Sequence, residues 1–210
     1  MISPRIFTGG DLATNGYLLE GKEGVICFDA PEGMARELMR KEIKPVALLL
    51  THGHFDHMWD SVLIQEDYHC PIYVHPADAG MVTDTSYMKM LGVVPPVRAP
   101  SHVETFDIPD QGSAKFTCAG EEFQLFHIPG HSLGSVAFYH PGWGVLISGD
   151  TLFCGGVGRW DLPGGSRTAL LRGLRKHLIS LPSETRVYAG HGPQTTIGHE
   201  RETNPFLDIV

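Results

Sequence analysis

The segment THGHFDH at residues 51–57 constrains the fold of this chain more than any other feature. It directly follows the run VALLL, Val46–Leu50, whose short length and unbroken apolar character are typical of a central strand covered on both faces. On a regular strand or helix, His52, Asp56 and His57 could not all face one way. The sequence therefore predicts a buried strand that ends in a turn, and this turn gathers a dense group of possible metal ligands.

Three later residues match this cluster in type and in setting. They are His131 in PGHSLGS, Asp150 in SGDTLF and His191 in AGHGP, each beside glycines and each after a predicted strand. Imidazole nitrogens and carboxylate oxygens are the ligands expected for zinc and for iron. A surface loop that merely contains histidines would explain an isolated HxH. Three separate matches favour a metal site.

The remaining pattern predicts helices packed outside two sheets, with the chemistry at strand ends. Helices are expected around Met34–Ile43 and from about Ser166 to Ser180. Strands are expected at Arg5–Thr8, Tyr17–Glu20, Val25–Asp29, Lys115–Ala119, Glu122–Ile128, Ser135–His140, Val145–Ser148 and Thr185–Ala189.

A length of 210 residues suits one large domain, and we expect a single domain over 1–210. The irregular stretch is 80–101, which contains several methionines and VVPPV at 93–97. It has two interpretations, a flexible wall over the site and a surface insertion whose apolar residues cover the core. The second is favoured slightly.

The net charge and the composition indicate which binding partners and which cellular compartment to expect. The formal charge of −8 argues against nucleic acid, because phosphate binding depends on clusters of lysine and arginine. The start of the chain does not resemble a leader, and no stretch is apolar for the length of a membrane helix, so we expect a cytoplasmic protein without membrane contact. The cysteines show no CxxC pair, and we expect buried free thiols at Cys27, Cys70, Cys118 and Cys154.

Taken in order, HxHxDH followed by a distal His, Asp and His resembles the metallo-β-lactamase fold hydrolases over nearly the whole chain. The resemblance implies an α/β fold, a four-layer αβ/βα sandwich of two mixed sheets flanked by helices, with the site at the edge where the halves meet. It implies one metal held by His52, His54 and His131, a second held by Asp56, His57 and His191, and Asp150 as the bridge between them.

The chemistry implied by this resemblance is hydrolysis. Two divalent metal ions, zinc as the first expectation and iron or manganese as alternatives, would share a hydroxide that attacks a substrate carbonyl. One metal would stabilise the oxyanion, so that no serine or cysteine nucleophile is needed. Asp56 and Asp150 would be the catalytic carboxylates, and Asp56 would also orient the water. The oligomeric state cannot be read from the sequence.

A narrower resemblance rests on SGDTLFCGGVGR, WDLPGG and AGHGPQTTIGHERETNP, which are most similar to short bacterial forms of glyoxalase II, the hydroxyacylglutathione hydrolases. It implies a small thioester or ester substrate of the S-lactoylglutathione type. Arg159 stands where longer members use a basic residue to contact glutathione; a structural arginine bonding to loop carbonyls is the alternative. The chain stops at Val210, where longer members continue, so we expect no C-terminal glutathione-binding helical domain.

The main alternative is a persulfide dioxygenase of the same fold, which shares THxHxDH and GDTLF…GR but uses one iron and molecular oxygen. That iron would be held by His52, His131 and Asp150. Aspartate at position 150, where many true β-lactamases of this fold carry cysteine, argues against antibiotic hydrolysis. Lactonase, nuclease and non-catalytic binding protein rank lower. No chemistry is assigned to His69, His75, His102, His127, His140, His177 and His199.

Overall fold

The structure is a computed structural model, which describes residues 3–90, 92 and 98–207. The strands are β1 (Arg5–Gly9), β2 (Thr14–Gly21), β3 (Gly24–Phe28), β4 (Pro45–Leu49), β5 (Ile72–Val74), β6 (Glu104–Thr105), β7 (Ser113–Cys118), β8 (Glu121–His127), β9 (Val136–His140), β10 (Val145–Gly149), β11 (Leu152–Phe153), β12 (Gly156–Val157), β13 (Arg186–Ala189) and β14 (Thr195–Thr196). The α-helices are α1 (Met34–Arg40), α2 (Phe55–Met58), α3 (Ser61–Tyr68), α4 (Pro76–Thr83), α5 (Tyr87–Met90), α6 (Arg167–Gly173) and α7 (Ile197–Thr203).

Two mixed sheets form the centre of the described part of the chain. The N-terminal sheet has the order β1-β2-β3-β4-β5-β6. Its first two pairings are antiparallel and the other three are parallel. The C-terminal sheet has the order β14-β13-β10-β9-β8-β7, in which β10 and β13 pair in parallel and the other neighbours are antiparallel. A short ribbon, β11-β12, follows β10.

Side chains point alternately to the two faces of each sheet, and both faces are covered, which produces four layers. In β3, Cys27 packs in an apolar cluster with α1 and α3, whereas Ile26 and Phe28 face a second cluster between the sheets. In β10, Ile147 faces the second cluster and Leu146 a third cluster beneath α6 and α7. Strands β3 and β10 are largely apolar because each is covered on both faces. The sandwich of two mixed sheets flanked by helices is thus confirmed.

The helices are shorter than the sequence predicted. Helix α1 ends at Arg40 rather than near residue 43, and the α-helix expected to reach residue 180 ends at Gly173. It continues as a π-helical segment, Leu174–Leu178, in which the N–H of Ile179 donates to the carbonyl of Leu174, five residues back. Among the described residues, none of the helices combines the length and apolar character needed to cross a bilayer.

The described part of the 80–101 stretch covers the core. Val82 and Met88 are completely buried in the cluster beneath α1 and α3. Tyr87 also reaches the THGHFDH segment, where its hydroxyl donates to the carbonyl of Gly53 over 3.0 Å. The favoured interpretation, that apolar residues of this stretch patch the core, fits these contacts. Leu91 and VVPPV at 93–97 lie outside the described residues.

The cysteine prediction is correct in part. All four cysteines are free, and both Cys27 and Cys70 are buried. Cys118 is half-buried, and Cys154 is exposed, so the expected packing role is wrong for Cys154. Cys154 lies in the turn between β11 and β12, where the neighbouring Gly155 is also exposed.

Candidate metal centre

The candidate site lies where loops from the ends of both sheets meet. The segment after β4 supplies His52 and His54, and it then forms the single helical turn α2, which carries Asp56 and His57. The predicted turn after the buried strand is therefore present. The C-terminal sheet supplies the rest from the loops that follow three of its strands: His131 after β8, Asp150 after β10 and His191 after β13.

Backbone hydrogen bonds lock the two sheets together at this edge. The N–H of Asn15 in β2 donates to the carbonyl of Gly190 over 2.7 Å, and the N–H of Gly190 donates to Gly149 over 2.8 Å. The N–H of Val136 in β9 donates to the carbonyl of Thr51 over 2.8 Å. The bonds of Asn15 and Val136 join the two sheets, and that of Gly190 joins the ends of β10 and β13 within the C-terminal sheet, so the loops from distant segments are held in fixed positions.

Three histidines form a first group. The Nδ1 atom of His54 lies 2.8 Å from Nε2 of His131, which lies 3.2 Å from Nε2 of His52. All three side chains are buried. Their nitrogens lie close enough together to hold one metal ion.

Asp56, His57 and His191 form a second group. The Nε2 atoms of His57 and His191 lie 3.4 Å and 3.3 Å from Oδ2 of Asp56. His57 is completely buried, whereas Asp56 and His191 are half-buried. This group too is close enough to hold one ion.

The carboxylate of Asp150 lies between the two groups. Its Oδ1 is 3.3 Å from Nε2 of His57, and its Oδ2 is 3.4 Å from Nε2 of His191 and 3.5 Å from Nε2 of His131. Asp150 thus touches the ligand atoms of both groups. This is the geometry expected of a bridging carboxylate.

These residues fit divalent cations on two grounds. Ligand atoms about 2.0–2.1 Å from a tetrahedral zinc ion lie about 3.3–3.4 Å apart, close to most of the separations above. In addition, Nε2 of His57 and Oδ1 of Asp150 are buried without a hydrogen-bond partner among the described residues. Buried polar atoms are rarely left unpaired, because each costs about 1–3 kcal/mol. A metal ion would satisfy both atoms.

Hydrogen bonds on the far side of the rings orient the histidines. Nδ1 of His131 donates to the carbonyl of Arg159 over 2.9 Å, and Nδ1 of His191 donates to the carbonyl of Leu12 over 3.1 Å. Nδ1 of His57 bonds to Oδ2 of Asp29 over 2.9 Å. With Nδ1 carrying the proton, the lone pair of Nε2 points into the site.

Two buried aspartates brace the loops, and sequence reasoning missed both. Asp29 accepts from the N–H and the hydroxyl of Thr51, over 2.8 Å and 2.9 Å, as well as from His57. Asp78 in α4 accepts from the N–H of Gly53 over 2.9 Å, from the hydroxyl of Ser132 over 2.7 Å and from the N–H of Gly134 over 2.7 Å. Asp78 therefore ties the THGHFDH segment to the loop that carries His131.

The charges of the two groups differ. Burial lowers the pKa of His52 well below its usual range, and burial together with His131 lowers the pKa of His54 to about 3. Burial alone would also lower the pKa of His191, but hydrogen bonds to Asp150 and Asp56 raise it to about 10. Burial thus favours the neutral form of His52 and His54, the form that binds a metal ion, whereas the neighbouring carboxylates favour the protonated form of His191.

Among the described residues, the side chain of Arg159 does not bond to loop carbonyls, so the structural alternative is wrong in that form. Its exposed guanidinium pairs with the carboxylate of Asp161 through two contacts of 2.8 Å rather than with loop carbonyls. Its backbone carbonyl is the group that orients His131. A substrate contact by the Arg159 side chain stays a prediction.

Among the histidines left without chemistry, His199 lies near other possible ligands, Cys154 and Glu200. Both oxygens of Glu200 already accept hydrogen bonds, from the hydroxyl of Thr195, the N–H of Gly155 and the amide of Asn204. This carboxylate braces the β11–β12 ribbon against α7. It is not an unpaired ligand like Asp150.

Comparisons with known proteins bear on the family and the fold. The family model described as the metallo-beta-lactamase superfamily matches residues 9–191. The protein named hydroxyacylglutathione hydrolase GloC from Haemophilus influenzae is 31% identical, over 85% of this chain and 85% of its own length.

Two solved structures are also similar. The crystal structure of TTHA1623 in a di-iron-bound form has a TM-score of 0.84 and 40% identity, and the match covers 97% of this chain and all of that one. The BLEG-1 B3 metallo-beta-lactamase has a TM-score of 0.85 and 35% identity, and the match covers 98% of this chain and 99% of that one.

Proposed function

The chain belongs to the metallo-beta-lactamase superfamily, and we propose that it is a metal-dependent hydrolase of a small thioester or ester, similar to glyoxalase II. The observation that carries the proposal is the position of Asp150, whose carboxylate touches both ligand groups. The similarity to the protein named GloC supports the thioester class.

The metal assignment is also a proposal. His52, His54 and His131 would hold one ion, Asp56, His57 and His191 the other, and Asp150 both. Zinc is the first candidate, while iron or manganese would suit the same donors, and the di-iron form of TTHA1623 supports iron. When bound, the two ions would lower the pKa of a shared water and polarise the substrate carbonyl.

The side chains around that water have separate tasks. Asp56 would orient the water, and the hydroxyl of Thr14 holds Asp56 by donating to its Oδ2 over 2.7 Å. Asp150 would keep the two ligand groups in register, while Asp29 and Asp78 hold the loops from behind. Hydrolysis would form a bond from the water oxygen to the acyl carbon, break the C–S bond and release a carboxylic acid and a thiol.

The test combines elemental analysis with thioester hydrolysis on the same sample. We expect about two metal ions per chain and turnover of a simple thioester. Asp150→Asn should lose at least about a hundredfold in kcat/KM together with metal, because the bridging charge is gone. Asp107→Asn, at an exposed position away from the site, is the matched control and should change neither. Metal-loaded protein that hydrolyses no thioester would refute the proposal.

The second candidate is the mononuclear iron dioxygenase. It is supported by the proximity of His52, His131 and Asp150, whose closest ligand atoms lie 3.2 Å and 3.5 Å apart. One iron per chain, oxygen consumption with glutathione persulfide and no hydrolysis of the simple thioester would establish this reaction instead. A chromogenic cephalosporin belongs in the same panel because of the similarity to BLEG-1.

A further inference from the structure

A cavity of about 320 Å³ adjoins the candidate metal centre. Thr14 and Asp56 belong to its lining, so the pocket reaches the carboxylate proposed to orient the water. We call it the side pocket, and its other lining residues are Gly9, Gly10, Asp11, Leu12, Glu32, Phe55 and Trp59. Apart from Leu12, whose backbone carbonyl accepts from His191, these residues have no role assigned in the metal centre.

The aromatic wall of the side pocket is fixed to the metal ligands. Phe55 is the first residue of α2 and Trp59 directly follows this helix, which also carries Asp56 and His57. Their rings meet edge to face, with centroids 6.0 Å apart. Leu12 adds an apolar side chain that is 53% exposed. A substrate group held against this wall lies close to the reacting carbonyl.

The charges of the side pocket are negative and uncompensated. Asp11 and Glu32 are exposed, and neither side chain forms an ion pair or hydrogen bond with any residue that the structure describes. The lining contains no lysine or arginine. Carboxylates beside aromatic faces are the surroundings that bind ammonium groups, and quaternary ammonium groups above all.

Close backbone packing fixes the two segments that carry Asp11 and Glu32. A Cβ atom on Gly9 would lie 2.1 Å from the carbonyl oxygen of Glu32, so the end of β1 packs directly on the backbone of Glu32. The N–H of Ala13 donates to the carbonyl of Gly10 over 3.1 Å and closes the turn that carries Asp11. The pocket is therefore formed without a ligand, which lowers the cost of binding.

We infer that the side pocket binds an ammonium-bearing, otherwise apolar part of the substrate, so that cationic thioesters or esters are the preferred substrate class. This inference rests on the proposed function and specifies its substrate. Glutathione carries two carboxylates and one ammonium group, and its net negative charge would be repelled by Asp11 and Glu32. S-lactoylglutathione should accordingly be a poor substrate.

Three acetyl thioesters that differ in charge test the inference. They are acetylthiocholine, which is cationic, S-acetyl-N-acetylcysteamine, which is neutral, and S-acetyl-3-mercaptopropionate, which is anionic. We expect kcat/KM to fall in this order, with a cationic-to-anionic ratio of about tenfold or more that shrinks as salt is added. Equal values for the three thioesters would overturn the inference but leave the proposed function standing.

Variants of the side pocket test whether its residues cause the preference for cationic thioesters. Asp11→Asn combined with Glu32→Gln should reduce the cationic-to-neutral ratio by about five- to tenfold, and Trp59→Leu should also reduce it. Asp107→Asn, exposed and outside the pocket, should leave the ratio as it is. A ratio that survives the double variant would contradict the inference.

Binding without turnover separates the two proposals. Calorimetric titration with choline and with 3,3-dimethyl-1-butanol, its neutral analogue of the same shape, should give tighter binding of choline, and the difference should vanish in the double variant. If metal-loaded protein hydrolyses none of the three thioesters, the proposed function is wrong. Equal binding of the two analogues would refute the cation pocket.

Discussion

At the scale of single residues, the orientation of the candidate ligands depends on carboxylates behind them. Asp29 accepts three hydrogen bonds and is completely buried, with a backbone φ of 56° that aspartate and asparagine tolerate better than most residues. One of these bonds holds His57. The hydroxyl of Thr51, which donates to Asp29, lies 3.0 Å from Nδ1 of His52. The Asp29 carboxylate is thus bonded directly to a ligand of the second group and through Thr51 to a ligand of the first.

Asp29→Ala should therefore weaken metal binding. The change leaves His57 without the acceptor that sets its ring, and outer ligand-orienting partners are typically worth about 10- to 100-fold in metal affinity. Competition titration with a chromophoric chelator measures the change. Asp67→Ala, at an exposed position, is the control. Unchanged affinity would mean that Asp29 does not orient His57.

Gly190 is the residue at which even a methyl group should destroy the site. A Cβ there would lie 2.0 Å from Oδ1 of Asp150 and 2.5 Å from Cε1 of His57. We expect Gly190→Ala to displace both side chains and to lose at least about a hundredfold in kcat/KM, because misplacement by about 1 Å already costs that much.

The control for this variant is Gly80→Ala. A Cβ on Gly80, inside α4, would meet no atom within 4 Å, and this change should stabilise the fold by about 0.5–1 kcal/mol. Metal content, activity and urea unfolding of the two variants make the comparison. If Gly190→Ala retains full metal content, the described packing of Asp150 against Gly190 is incorrect.

Sequence reasoning found the residues that coordination chemistry makes conspicuous. Histidines and an aspartate that follow apolar strands are recognisable, and the structure brings all seven together. Asp29 also ends an apolar run, but the pattern predicts it as the last residue of the strand Val25–Asp29 and not as a loop residue. Asp78 gave no signal, because it lies in a helix and its partners Gly53 and Ser132 are 25 and 54 residues away.

At the scale of elements, helix α4 connects the surface to the loop of His131. Its first residues follow His75, whose Nδ1 accepts from the N–H of Ala77 and caps the helix. The ring of His75 stacks on that of His127 with centroids 3.9 Å apart, and Nε2 of His127 donates to the carbonyl of Leu133 in the His131 loop. A change at this cap can thus be transmitted towards Asp78 and the site.

Protonation of His75 should destabilise the fold. Burial, with His127 adding to it, lowers the pKa of His75 from 6.5 to about 4, against a smaller opposing effect of Asp110. Between these pH values the unfolded chain binds the proton more readily, so the free energy of unfolding falls as pH drops from about 6.5 towards 4.

The variant His75→Asn keeps a capping acceptor and removes the titration. Urea unfolding at pH 7 and at pH 5 should show a smaller loss of stability for the variant than for the unchanged protein. An equal loss in both would show that His75 does not contribute to the acid sensitivity.

Strands could be predicted from the sequence where they form apolar runs, whereas shorter strands and the π-helical segment could not. Strands β3, β4 and β10 appear as short apolar runs because most of their residues are buried on both faces, Val46 being an exposed exception. Strands of two or three residues, such as β5, β6 and β14, are too short to show an alternating pattern. The switch to a π-helical segment after Gly173 depends on tertiary packing, since a Cβ on Gly173 would lie 2.7 Å from the side chain of Ile128.

At the scale of the whole molecule, the three apolar clusters share strands. Strands β2 to β4 contribute to the first two clusters and β8 to β10 to the last two, so the layers should unfold together. We propose on this ground that residues 1–210 form one domain. The candidate centre draws four ligands from the loop after β4 and three from loops of the C-terminal sheet.

Removing the metal should therefore lower the stability of the entire fold. A ligand that binds only the folded state at a thousand times its Kd contributes about 4 kcal/mol, and we expect the chelated protein to melt several degrees lower in a single transition. Differential scanning calorimetry before and after chelation, followed by readdition of zinc, measures this. Asp150→Asn should show little difference between the two states, and a chelator-insensitive Tm in the unchanged protein would contradict a metal shared by both sheets.

The division of ligands between the sheets also has a consequence for synthesis. The ribosome releases the segment 51–57 long before Asp150 and His191, so the emerging chain carries four donors without the bridge. We expect metal uptake to wait until the second sheet has docked through the Gly190 hydrogen bonds. The cell's free metal pool at that moment, rather than the one present when the first half emerges, would then decide which ion the protein carries.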